Sequence, residues 1–120
     1  MKTLYEVLDG SSRDEERIQR AGEILKAGGL VAFPTETVYG LGGDALNPAS
    51  ARRIYAAKGR PSDNPLIIHI CRWEDIYAIA VDPRGMAKRL ADAFWPGPLT
   101  LVLPKKEIVP IETTGGLSTV

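Results

Sequence analysis

Glycine and proline break this sequence at short intervals, at Gly28-Gly29, Pro34, Gly59, Pro61, Pro65, Pro96-Gly97-Pro98 and Pro104. Each helix or strand between them must therefore be brief. The segments between the breaks alternate in period. Ser12 and Glu15 have capping-box spacing, and Ile18, Ala21, Ile24 and Leu25 recur on one helical face until the glycine pair. Leu30 to Phe33 is a short apolar run closed by Pro34, and Val38 to Ala45 resumes an extended pattern after the polar turn Thr35-Glu36-Thr37. Asn47-Pro48 is a helix start, since asparagine accepts from orphan amides and proline tolerates the first helical position. That helix should carry Ala51, Ile54 and Tyr55 inward and end near Gly59.

Leu66 to Ile70 reads as the next strand, with Leu66, Ile68 and Ile70 on one face and Ile67 and His69 on the other. A short helix over Trp73 to Ala80 follows, then a second from Asp82-Pro83 with Met86, Ala87, Leu90 and Phe94 inward. Leu99 to Leu103 reads as a strand, the stretch after Pro104 is weakly patterned, and Leu117 to Val120 resembles the start of another strand. The alternation predicts an α/β fold, a sheet with helices packed on it. No repeat, linker or low-complexity stretch divides the 120 residues.

Composition excludes several partners. Fifteen basic residues balance fifteen acidic ones, so the chain as a whole has no strong pull toward duplex nucleic acid or anionic membrane, and any anion site must be local. The single cysteine, Cys71, excludes an internal disulfide and is expected to be a small buried apolar residue. No apolar run reaches membrane-spanning length and no secretory signal opens the chain, so a cytoplasmic protein is expected.

Chemistry-bearing residues gather in three places. The turn at Pro34-Thr35-Glu36-Thr37-Val38-Tyr39-Gly40 sets hydroxyls, a carboxylate and amides between two strands. It can grip a small polar ligand or simply satisfy its own backbone. Lys58-Gly59-Arg60 with Asn64 sets two cations beside a glycine. They suit phosphate, and equally suit the carboxyl end of a helix dipole. His69 can orient a carboxylate or hydroxyl, or serve as a satisfied structural histidine. Trp73, Phe94 and Trp95 are expected in the core or at its edge. Gly40-Leu41-Gly42-Gly43-Asp44-Ala45 spells a dinucleotide fingerprint, but that fingerprint needs the glycines to open a helix, and here they read as strand. No Walker loop occurs, so an ATP site must cradle phosphate by other means.

PTETVYGLG, KGRPSDNPLIIHI and WPGPLTLVL, in this order and spacing, closely resemble the YrdC/Sua5 family. The resemblance runs from about Ala21 to Val120. It implies a twisted mixed sheet with helices packed around a concave, positive cavity. It also implies L-threonylcarbamoyladenylate synthesis from L-threonine, bicarbonate and ATP, with pyrophosphate released and Mg2+ bridging the phosphates. The product would pass to transferase proteins that form threonylcarbamoyladenosine in tRNA. By the same resemblance Lys58 and Arg60 are catalytic cations at the ATP phosphates, Asn64 and Thr119 contact ATP, and Thr37 and His69 contact L-threonine. No protein metal ligand is implied. The family's later Ser-x-Asn sequence is not the Ser62-Asp63-Asn64 seen here, so residues 1–120 are expected to be the N-terminal portion of a YrdC-like domain. An RNA-binding YrdC-like protein without adenylate synthesis is the alternative.

Overall fold

Residues 2–120 are described by the computed structural model. Helix α1 (Arg13–Lys26) begins where the spacing places it, but by another device. Ser12 makes no side-chain cap; the Asp14 carboxylate instead accepts from the Asp9 and Gly10 amides at 3.1 and 2.8 Å. Partial desolvation opposes ionisation of Asp14, yet the Gly10 amide and the Arg17 guanidinium outweigh it and hold the carboxyl below its ordinary value. No residue of α1 is fully buried, and Ile18 of its apolar face is 58% exposed.

After the left-handed turn at Gly28, β1 (Val31–Phe33) pairs antiparallel with β2 (Gly40–Gly42), Val31 opposite Gly42 and Phe33 opposite Gly40. The glycines of β2 make room for an aromatic ring. A Cβ on Gly42 would stand 2.7 Å from the Phe33 ring and one on Gly40 3.3 Å from it. Gly43 lies equally close to Leu30, Ser50 and Ile54. The glycine string is a packing device, and the helix begins only at Pro48.

Helix α2 (Pro48–Lys58) is the best-buried element. The Asn47 side chain accepts from the Ala49 amide at 2.9 Å, and Gly59 ends the helix in the left-handed region at φ 60°. Ser50, Ala51, Ile54 and Tyr55 face inward, buried. Ser50 and Arg53 both donate to the Gly28 carbonyl, pinning α2 to the turn that leads into β1.

The weakly patterned segment after Pro104 supplies much of the rest of the core. Val109 is 0% exposed, and Thr113 and Thr114 are buried. The Thr113 hydroxyl donates to the Ala45 carbonyl at 2.7 Å, while the Leu66 amide donates to the Thr113 carbonyl at 3.0 Å. Gly115, at φ +61°, lies so close to the 63–65 backbone that a Cβ there would sit 2.9 Å from the Asp63 carbonyl oxygen. One turn thus ties the end of β2 to the segment that leads into residues 66–70.

Residues 66–70 and 99–103 have the alternating exposure expected of strands, but they form no ladder. Among the described residues the amides and carbonyls of 67–70 and 100–102 make no backbone hydrogen bond, because no other extended segment lies alongside them. Pairing resumes at Leu103, which exchanges two bonds with Val120 at 2.9 and 2.8 Å, and single bridges join Pro104 to Thr119 and Ala80 to Lys105.

A 3-10 turn at Trp73–Asp75 runs into α3 (Ile76–Ile79). Helix α4 (Met86–Phe94) starts later than Asp82-Pro83 because Gly85 takes a left-handed conformation, φ 64°; Asp82 reaches forward to accept from the Lys88 amide at 3.2 Å. Contrary to expectation, Met86, Leu90 and Phe94 are exposed and only Ala87 and Ala91 are buried, so this nine-residue helix rests on its narrowest face. Short helices with a small antiparallel sheet make an α/β arrangement. Among the described residues no helix is long and apolar enough to cross a membrane.

Candidate functional site

A cleft of about 1260 Å3 opens between residues 65–73 and 95–103. Ile76 and Ile79 of α3, Ala80 just after it and Ala91 of α4 line it as well, and Thr114, Leu117 and Thr119 reach it from the carboxyl segment. The lining is mostly apolar. Three of its side chains carry a formal charge, Glu36, Arg72 and Asp92. Arg72 pairs with Asp75 at 2.8 Å and Asp92 pairs with Lys88, which leaves Glu36 as the lining charge with no ion-pair partner among the described residues.

His69 projects from its wall on the face opposite Leu66, Ile68 and Ile70, as the two-residue period requires, and is exposed to the cleft. Its imidazole meets Phe33 edge to face, ring centroids 6.3 Å apart. Phe33 immediately precedes the Pro34–Gly40 turn, so the histidine and the turn share one aromatic support. Within the turn the Thr35 hydroxyl donates to the Val38 carbonyl and accepts from the Thr37 amide at 3.3 Å. That local lock places Glu36, between the two threonines, in the cleft lining; Thr37 is outside it. Thr119, half-buried, lines the cleft beside the Leu103–Val120 pairing.

The cationic candidates stand apart. Lys58 ends α2, and Lys58, Arg60 and Asn64 are exposed and outside the cleft lining. The loop that carries them is tethered: the Arg60 amide donates to the Tyr55 carbonyl at 3.1 Å and the Tyr55 hydroxyl to the Asn64 carbonyl at 2.7 Å. Burial keeps the Tyr55 phenol above its ordinary value, so it stays a donor. Lys58 and Arg60 form no ion pair among the described residues, leaving both free to meet an anion. The lining itself carries one cation, Arg72, which is paired, while Lys58 and Arg60 stand on the loop that enters the cleft wall at Pro65.

Two sequence expectations need correction. Cys71 is exposed, because its segment lacks a partner to cover it. Phe94, expected inward, is 59% exposed at the end of α4. Trp73 and Trp95 pack against each other, centroids 6.2 Å apart, and both line the cleft. Each indole is fixed by its own N–H, Trp73 to the Tyr77 hydroxyl and Trp95 to the Leu99 carbonyl, both at 2.8 Å. Nothing in the spacing of these residues signals that meeting, which depends on two turns bringing distant segments together.

The Sua5/YciO/YrdC family model, described as telomere recombination, matches residues 23–120. The chain belongs to the Sua5/YciO/YrdC family. Among curated family relatives, the threonylcarbamoyl-AMP synthase of Pyrococcus abyssi is 56% identical over 107 residues, covering 89% of this chain and 32% of that protein. The Bacillus subtilis threonylcarbamoyl-AMP synthase is 46% identical, covering 100% of this chain and 36% of that protein. The crystal structure of P. abyssi Sua5 complexed with L-threonine is similar with TM-score 0.84 and 57% identity, over 88% of this chain and 31% of that one. The chain thus spans about a third of the length of the family members it matches.

Proposed function

We propose that this chain is the substrate-gripping portion of an L-threonylcarbamoyladenylate synthase, a nucleotidyltransferase making threonylcarbamoyl-AMP and pyrophosphate from L-threonine, bicarbonate and ATP. The observation that carries the reading is the similarity to an L-threonine-bound Sua5 at 57% identity, joined to a cleft lined by His69 and Thr119. In this reading residues 1–120 are an N-terminal portion of a YrdC-like domain. The product would feed threonylcarbamoyladenosine formation in tRNA, in the cytoplasm, through downstream transferase proteins.

The residue types suit the reaction. Threonine's neutral amine and bicarbonate give a carbamate with loss of water, and the carbamate oxygen attacks the α-phosphorus of ATP as pyrophosphate leaves. Two anions must approach each other, and preorganised cations lower that cost. Lys58 and Arg60 are the groups to hold the phosphates, the guanidinium by bidentate bonds and the ammonium as a point charge. Asn64 and Thr119 would contact the nucleotide, and His69 with Thr37 the amino acid. Among the described residues no cluster of three or more His, Cys, Asp and Glu side chains is suited to hold a metal. Mg2+ would be carried on the phosphates and water, where it would neutralise charge developing during transfer.

Isothermal calorimetry of the chain with L-threonine, then with ATP and Mg2+, tests this directly. Heat from both ligands is expected, with the ATP signal lost in Lys58→Ala at unchanged melting temperature. A folded chain silent to both would overturn the reading.

A further inference from the structure

We infer that Glu36 is an ammonium-recognition residue of the cleft, pairing with the α-amino group of a zwitterionic amino acid. The inference rests on the L-threonine reading above and deepens it. Among the charged side chains that line the cleft, Arg72 and Asp92 are neutralised by Asp75 and Lys88; Glu36 makes neither an ion pair nor a side-chain hydrogen bond among the described residues. Glu36 is exposed and meets no cation of the lining, so a ligand that brings a positive group to that point finds an available carboxylate.

Geometry supports the assignment independently of charge. The turn is fixed from within by the Thr35 hydroxyl, which bonds both the Thr37 amide and the Val38 carbonyl, so the carboxylate is presented from a held backbone. Phe33, next to the turn, packs edge to face on His69, so the histidine and the turn that carries Glu36 rest on one ring. A free amino acid needs two opposed partners. Glu36 offers the anion for its ammonium, while His69 offers a donor for its carboxylate or hydroxyl. Once the amine is carbamoylated it no longer carries a charge, so the same carboxylate would hold substrate more tightly than product.

Calorimetry with L-threonine and with 2,3-dihydroxybutyrate, its analogue carrying a neutral hydroxyl in place of the ammonium, tests the inference. The wild-type chain should prefer L-threonine by about tenfold or more in Kd, the scale of one charge-assisted hydrogen bond. Glu36→Gln should abolish that preference while leaving the melting temperature and ATP binding unchanged. Equal weakening of both ligands in Glu36→Gln would mean a merely structural role and overturn the assignment, as would unchanged L-threonine binding. A wild-type chain that binds neither ligand overturns the L-threonine reading itself, and this inference with it.

Discussion

The two cleft walls carry more apolar side chain than helix α2 with residues 109–116, yet only the α2 region is closed. Around α2, backbone groups find partners: Thr113 bonds Ala45 and Leu66, Ser50 and Arg53 bond Gly28, and Val109 is wholly buried. Along 67–70 and 100–102 no backbone group is bonded among the described residues, and Ile67 and Val102 are 63% and 72% exposed. Apolar sequence alone therefore does not make a core. A core forms where polar atoms can also be satisfied.

That contrast can be broken at its tightest point. Gly115→Ala should cost about 3 kcal/mol, since the residue is left-handed and the new Cβ would meet the 63–65 backbone. A urea midpoint unchanged by this substitution would show that the turn does not hold the closed half together. Removing the start of α2 should do less: Asn47→Ala should cost about 1 kcal/mol by losing the bond to the Ala49 amide. Circular dichroism during thermal melting would read that loss as a lower midpoint with one transition. The smallest effect belongs to the open half, where Ile67→Ser should change stability by less than about 0.5 kcal/mol. A large drop in its melting temperature would mean that the cleft wall is covered in solution, and the two halves would then be alike.

The legible parts of the fold were those in which side-chain period and backbone bonding coincide. Asn47-Pro48 and Gly59 bound α2 as their chemistry requires, and alternation in 66–70 correctly sets His69 apart from Leu66, Ile68 and Ile70. The core at 109–116 escaped because its anchors are two threonines and a left-handed glycine, which leave no hydrophobic period. Helix α4 misled for the opposite reason: its large apolar residues have helical spacing, but the helix settles on alanines. At the site, Glu36 could not be singled out within an all-polar turn. Its distinction comes from the pairing of every other charged side chain in the cleft lining, which is a property of the fold. The glycines of β2 lie in a strand as their pattern predicts, while the clearance they give Phe33 needed the register with β1.

The unbonded backbone of the cleft walls also changes how other molecules would perceive this one. Extended apolar chain with free amides is a template for strand addition. To any partner that offers an extended edge, residues 67–70 and 100–102 present backbone groups ready to be paired. Whatever supplies that edge would complete the walls as well as cover them.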